Sequence, residues 1–210
     1  MIIDISPPLG ESTAVWPGDT PLSRSWQLKL SEGANIDLSS LTTSVHIGAH
    51  ADAPSHYRQG AADISQVSLE PYLGPCQVIR ILNNPQIDRK QLELALRGVD
   101  PVPPRILVAT ESFPDPTQFN EDFSYFTPEA ISYLAAQGVV LVGIDTPSVD
   151  SFSSKTLKTH QALIRHDMRN LEGLALSHVE AGCYELIALP LPLAGFDASP
   201  VRAVLRQLLA

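Results

Sequence analysis

Eighteen prolines are spread along the 210 residues, and they limit the chain to short pieces of regular structure. They run from Pro7-Pro8 through Pro17, Pro54, Pro103-Pro104, Pro114, Pro116 and Pro147 to Pro190 and Pro192. A linker would gather them in one tract. Proline fixes φ and removes a backbone donor, so scattered prolines predict many fixed loops between short elements. The apolar patterning agrees. It predicts strands over 1–6, 25–31, 36–45, 76–82, 105–110, 139–144 and 184–189, several of them rich in β-branched residues. Helices fall between some of these. Asp88 caps a helix over 89–97 that Gly98 ends, and Thr127-Pro128-Glu129 starts another that Gly138 stops. A further helix is expected over 158–168. A last one is expected to open at Ser199-Pro200, with Val201, Val204, Leu205 and Leu208 as its apolar stripe.

The length suits one domain spanning 1–210, and 44% hydrophobic with 18% charged residues describes an ordinary globular chain. The formal net charge of −9 argues against nucleic acid and against an anionic membrane surface as partners. The longest apolar run, 186–196, is interrupted by Pro190 and Pro192 and falls short of the ~18 residues that a membrane span needs. No basic leader precedes an apolar stretch at the N-terminus, so the cytoplasm is the expected compartment. Cys76 and Cys183 lie far apart in apolar surroundings, and both are expected to be buried free thiols.

The chemistry concentrates in SVHIGAHADAPSH, residues 44–56. His46, His50, Asp52 and His56 stand there as H-x-x-x-H-x-D-x-x-x-H. Imidazole and carboxylate are donors for the same divalent cations. An extended chain would splay His46 and His50 about 13 Å apart, so the chain must bend between them, and Gly48 offers that freedom. His50 and Asp52 are two apart, so a strand presents both on one face. Pro54 stops a helix from running through the segment. The small residues Gly48, Ala49, Ala51, Ala53 and Ser55 are expected to leave room for an ion and its substrate. Three protein ligands leave open positions, the mark of a catalytic ion, and His56 is then free to act as a general acid–base. A second ion would need donors from further along, among His160, His166, Asp167, Glu172, His178 and Glu180. Asp145, in GIDTPSVD (143–150), suits either a site at a strand end or a simple turn. Trp16, in WPGD, is either a packed anchor or a ring for a flat substrate. No G-x-S-x-G elbow and no G-x-G-x-x-G occur, and the P-loop spacing of Gly138 and Gly143 is followed by Ile144 and Asp145 in place of Lys and Ser/Thr.

The segment HIGAHADAPSH resembles the H-x-G-[TA]-H-x-D-x-P-x-H signature of the metal-dependent cyclase family. The resemblance extends over nearly the whole chain, through VWPGDTP (15–21), GIDTPSVD, RHDMRNLEGL (165–174), YELIALPLPL (184–193) and DASPVRAVLR (197–206). It implies an α/β fold of swivelling β/β/α type with mixed sheets and a few helices, assembled as a homodimer. It implies two zinc ions. His46, His50 and Asp52 would hold the first, and Asp52 would reach the second. His160 would bind the second, with His166 its nearest competitor, and Glu172 would touch both. His56 would be proton donor and acceptor, and Trp16 would contact the substrate. The resemblance implies hydrolysis of N-formyl-L-kynurenine to L-kynurenine and formate. The alternatives are hydrolysis of a cyclic amide such as isatin, with manganese, or a metal-binding module without catalysis.

Overall fold

Most of the apolar runs of the sequence become strands of one curled mixed sheet in the computed structural model, which describes residues 1–207, while the runs at 25–31 and 36–45 pair in a separate two-stranded sheet. The first half contributes β1 (Ile2–Asp4), β2 (Ser23–Leu28), β3 (Leu38–Thr42), β4 (His50–Asp52), β5 (Leu73–Arg80), β6 (Gln86–Ile87) and β7 (Arg105–Ala109). The second half adds β8 (Tyr125–Phe126), β9 (Leu141–Ile144), β10 (Arg169–Glu172), β11 (Gly182–Ile187), β12 (Ala198–Pro200) and β13 (Val204–Gln207). Nine of these form the main sheet in the order β1-β13-β11-β5-β7-β9-β10-β4-β12. The run β5-β7-β9-β10 is parallel and the outer pairings are antiparallel.

Three helices, α1 (Arg89–Ala95), α2 (Pro128–Ala136) and α3 (Lys158–Arg165), cover one face of this sheet. Asp88 closes a capping box with Gln91, and Thr127 Oγ1 accepts from the amide of Ala130, so the first two helices start where the caps predict. Leu92, Ile131, Leu134, Ala162 and Leu163 from the helices pack against Ile106, Val108, Val142 and Ile144 of the strands. The other face buries Val78, Leu107, Ala109, Leu171, Leu186 and Leu205. β7 shows why its run reads as continuously apolar: Ile106 and Val108 serve one core, Leu107 and Ala109 the other.

The C-terminal segment corrects the sequence expectation. Ser199-Pro200 opens no helix. Ala198–Pro200 is β12, which pairs with β4, and Val204–Gln207 is β13, which fills the gap between β1 and β11. Ala203 and Leu205 are buried while Arg202 and Arg206 are exposed, an alternation that the sheet exploits and that a helical stripe counted from Val201 obscures. Leu208 lies outside the described residues. The thiols need a second correction. Cys76 is buried, but Cys183 is exposed on β11 and donates to Gln77 Oε1 at 3.0 Å.

Two glycines fix where the histidine-bearing segment 46–56 lies. Gly48 has φ +56, and a Cβ there would stand 2.4 Å from Leu9 Cδ2. Gly173 has φ +65, and a Cβ there would stand 2.1 Å from the Gly48 carbonyl oxygen. Any side chain at 173 would push the 46–49 loop off the end of β10.

Candidate metal centre

Alternation along two adjacent strands builds the centre. On β4, Ala51 points into one core while His50 and Asp52 point to the other side. On β10, Leu171 points with Ala51, so Asn170 and Glu172 join the histidine and aspartate. The antiparallel register sets Glu172 opposite His50 and Leu171 opposite Ala51. The 46–49 loop bends at Gly48 and brings His46 back over the same face, with its ring 5.1 Å from that of His50. Pro54 opens a single 3-10 turn, Pro54–His56, which returns His56 to 4.2 Å from the His46 ring. His160 arrives from α3 across the helix-covered face.

The donor atoms converge. His46 Nδ1 lies 3.1 Å from Asp52 Oδ1, and His50 Nε2 lies 3.5 Å from Asp52 Oδ1 and 3.4 Å from Glu172 Oε2. His160 Nε2 lies 3.3 Å from Asp52 Oδ2 and 3.4 Å from Glu172 Oε1. Two constellations are close enough to chelate an ion: His46, Asp52 and His56, and His50, Asp52 and Glu172, with Asp52 in both. Of the other candidates in the sequence, His166 bonds to Ser132 Oγ and His178 to the Asp4 carbonyl, both at the surface and away from this cluster. Asp145 anchors a loop, accepting from Thr110 N, Thr110 Oγ1 and Glu111 N. The alanines at 49, 51 and 53 do not make room for a ligand as expected. They are packed in the opposite core, and only Gly48 of that set lines the cavity.

Two buried atoms test whether the cluster suits a cation. His50 Nε2 and Asp52 Oδ1 make no well-directed hydrogen bond among the described residues, and Asp52 Oδ1 meets only the contact with His46 Nδ1 at 3.1 Å. An unpartnered imidazole nitrogen and an unpartnered carboxylate oxygen in a protein interior are costly unless something between them satisfies both. Glu172 adds a second fully buried carboxylate within the same few ångströms. A donor set of imidazoles and carboxylates answers that need with zinc or a similar divalent ion. The titration behaviour tells the same story. Burial pulls the His46 imidazole down, yet the carboxylates of Asp197 and Asp52 beside it outweigh this and raise its pKa to about 10. Burial pushes Asp52 up, and His160, His46 and His50 pull it well below the usual carboxylate range. A proton on imidazole thus holds the carboxylates together where a cation would otherwise do so.

Three supporting residues have no local signal in the sequence. Asp150 stands upstream of α3 and does what its αL residue Leu157 cannot: it accepts from the amides of Thr159 and His160, both at 3.0 Å. Its Oδ2 also lies 2.7 Å from His160 Nδ1, which aims Nε2 at Asp52 and Glu172. Asn170 donates to Asp52 Oδ2 at 2.8 Å and to Glu172 Oε1 at 3.0 Å, tying the two carboxylates together. Val149 N donates to the same Glu172 oxygen at 2.8 Å. Asp197, beside β12, lies 3.1 Å from His46 Nε2 and 3.0 Å from His56 Nδ1.

A cavity of about 800 Å³ opens onto the cluster. His46, His50, His56, His160 and Glu172 line its floor. Trp16 forms a wall, its ring 5.4 Å from Phe119 and 5.0 Å from Phe152. Asp19, Glu111, Asp145 and Asp197 also line it, and among the described residues it has no lysine or arginine. Positive charge inside it comes only from imidazolium or a bound cation.

The chain is similar to known proteins over its length. The family model "Putative cyclase" matches residues 3–151. Kynurenine formamidase of Bordetella pertussis is 52% identical over 206 residues, covering 98% of this chain and 97% of that one. The corresponding protein of Polaromonas naphthalenivorans is 48% identical over 208 residues, covering 99% and 91%. A solved structure described as a potential metal-dependent hydrolase with cyclase activity superposes with a TM-score of 0.81 at 26% identity, covering 98% of this chain and 96% of that one. An isatin hydrolase bound to thioisatinate shares the fold with a TM-score of 0.83 at 19% identity, covering 97% and 91%.

Proposed function

The chain belongs to the cyclase family, and on that premise we propose that it hydrolyses N-formyl-L-kynurenine to L-kynurenine and formate with the help of two zinc ions. The observation that carries this proposal is the pair of buried donor atoms without a well-directed hydrogen bond, His50 Nε2 and Asp52 Oδ1, beneath an aromatic-walled cavity that His50 lines. The identity to kynurenine formamidases over nearly the full chain supports the substrate.

In this proposal His46, His50 and Asp52 hold the first ion. Asp52, His160 and Glu172 hold the second, with Glu172 reaching both. When bound, such ions supply a water acidic enough to ionise near pH ~7 and polarise a carbonyl oxygen. The chain's own residues do the rest. Asn170 and Val149 N keep the two buried carboxylates facing one another. Trp16, backed by Phe119 and Phe152, offers a flat apolar wall against which an aryl ring stacks. An arylamine leaves readily only when its nitrogen is protonated, and His56, at the rim of the cluster, delivers that proton. Removing His56 therefore abolishes turnover and spares metal.

The homodimer remains part of the proposal. The β2–β3 hairpin is a separate two-stranded sheet that exposes Trp26, Leu28, Leu38 and Leu41. A two-stranded ribbon with an apolar surface is marginal alone and gains by packing against a second copy. The same proposal keeps the whole chain, 1–210, as one catalytic domain and the cytoplasm as its compartment, where its two free thiols stay reduced. No helix among the described residues is long and apolar enough to cross a membrane.

The test is hydrolysis of N-formyl-L-kynurenine before chelation, after chelation and after zinc is restored. Loss and recovery of turnover supports the proposal. Full activity in the chelated protein, or no hydrolysis in the zinc-loaded protein, rejects it.

A further inference from the structure

We propose that Asp197 is a positioning residue that aims His56 at the leaving nitrogen, an inference that rests on the acid–base role given to His56 above. The geometry is specific. Asp197 Oδ2 lies 3.0 Å from His56 Nδ1, and among the described residues no other group hydrogen-bonds that ring. The same oxygen lies 3.1 Å from His46 Nε2. One carboxylate oxygen therefore spans two imidazoles whose ring centroids are 4.2 Å apart.

The backbone around Asp197 is fixed at several points. Its carbonyl accepts from Ala53 N at 2.8 Å, directly beside Asp52 and Pro54. The preceding carbonyl, of Phe196, accepts from Ile64 N at 2.9 Å, and Gly195 N donates to Asp63 Oδ2 at 2.9 Å. The next residue, Ala198, pairs with Asp52 in the sheet. Asp197 is thus held in register with the segment that carries Asp52 and His56, although 141 residues separate it from His56. Its side chain lines the cavity, so the orienting bond is made at the cavity wall.

An ionised carboxylate only accepts hydrogen bonds, so the ring nitrogen facing it carries the proton. Nδ1 of His56 is that nitrogen, and Nε2 is left as the working atom in both charge states of the ring. By the step served, a water oxygen has added to the formyl carbon and the proton it gave up sits on His56; the carbon–nitrogen bond then breaks, its electron pair goes to nitrogen, and the oxyanion re-forms the carbonyl. The nitrogen takes the proton from His56 Nε2. Arylamine and formic acid leave, the acid ionises to formate, and the ring is left neutral. Asp197 keeps its charge throughout. It orients the donor.

The experiment compares Asp197→Asn and Asp197→Glu with the wild-type enzyme on two substrates. One is N-formyl-L-kynurenine, whose amine must be protonated to leave. The other is a nitrophenyl formate, whose phenolate leaves without a proton. Metal content per chain is measured on each protein, and 15N shifts of the imidazoles report which ring nitrogen carries hydrogen. The expected result for Asp197→Asn is a fall in kcat on the amide of about 100-fold, within the range that a positioned general acid supplies. With zinc supplied to saturation, because Asp197 also partners His46, KM and the rate on the ester stay within about threefold, the Nδ1–H form of His56 is depleted, and Asp197→Glu restores part of the loss. Equal losses on amide and ester, a loss of metal that accounts for the fall, or an unchanged amide rate would each overturn the inference. His56→Ala separates the two levels. If it too keeps full amide turnover, the role given to His56 fails. If it is inactive while Asp197→Asn is not, only the inference about Asp197 fails.

Discussion

His50 on β4 and Glu172 on β10 face each other across one rung of the sheet, with Nε2 of the histidine 3.4 Å from Oε2 of the glutamate. Both side chains are buried, and the histidine nitrogen has no hydrogen-bond partner among the described residues. The position next to each, Ala51 and Leu171, packs in the opposite core. The relationship is therefore a property of sheet register, and a slip of one residue would move both donors out of the site.

From this arrangement follows a dependence of stability on metal. Without a cation the buried carboxylates of Asp52 and Glu172 rely on imidazole protons for compensation. A divalent ion present at a hundred times its dissociation constant stabilises a folded protein by about 2.7 kcal/mol. For a chain of this size that corresponds to a rise in Tm of about 5–10 °C. Differential scanning calorimetry of chelated and zinc-loaded protein checks it, and coincident melting curves would count against the site.

Asp150 makes the second prediction. Its carboxylate bonds both to the start of α3 and to Nδ1 of His160. Asp150→Asn keeps the shape but loses the charge that fixes the ring. Zinc affinity is expected to fall by about 10- to 100-fold, as is usual when an outer partner of a metal-bound histidine is lost. Competition with a chromophoric chelator measures this, and an unchanged affinity would remove His160 from the ligand set.

Gly173 and Gly138 make a matched pair. Both have positive φ, +65 and +83, but only Gly173 meets an obstacle: a Cβ on it would stand 2.1 Å from the Gly48 carbonyl oxygen. Gly138→Ala should cost about 1–2 kcal/mol for its left-handed backbone alone. Gly173→Ala adds overpacking against the metal-binding loop, for roughly 2–5 kcal/mol in all, and should weaken zinc binding with it. Urea titration of the two variants decides the point. Equal losses would mean that the loop yields freely.

Trp16 tests the cavity wall. Its contacts with Phe119 and Phe152 stay within the aromatic cluster, apart from the donors of the metal cluster. Trp16→Ala should leave zinc content unchanged and raise KM for N-formyl-L-kynurenine by about 10-fold, the factor that ~1.4 kcal/mol of lost stacking represents. A fall in kcat with KM unchanged would instead assign Trp16 to the chemical step.

Much of the fold is legible in the sequence because local chemistry determines it. The caps at Asp88 and Thr127 mark helix starts that the structure keeps. The apolar runs at 76–82, 105–110, 139–144 and 184–189 mark central strands. The failures are physical too. β10 reads RNLE, a strand whose buried residues Asn170 and Glu172 are polar because they serve the centre, so no hydrophobic period reveals it. β13 hides behind a stripe that fits a helix, because pairing with β1 and β11 is decided by residues far away in sequence.

The centre divides in the same way. His46, His50, Asp52 and His56 stand within eleven residues and announce themselves by composition. His160 and Glu172 come together with them only through the packing of α3 and the register of β10, and without the family resemblance they are two among six candidates. Asp150, Asn170 and Asp197 lie in segments that carry the family resemblance, but no composition or spacing singles them out. Their importance lies in which nitrogen or oxygen each one faces, and only the folded chain shows that.

The central claim is that this cage of imidazoles and carboxylates closes around divalent ions. X-ray diffraction from zinc-loaded crystals, recorded on either side of the zinc absorption edge, tests it most directly. The account predicts two anomalous peaks bridged by Asp52, one against His46 and His50 and one against His160 and Glu172. Absence of any peak at Asp52, with zinc bound elsewhere on the chain, would contradict it.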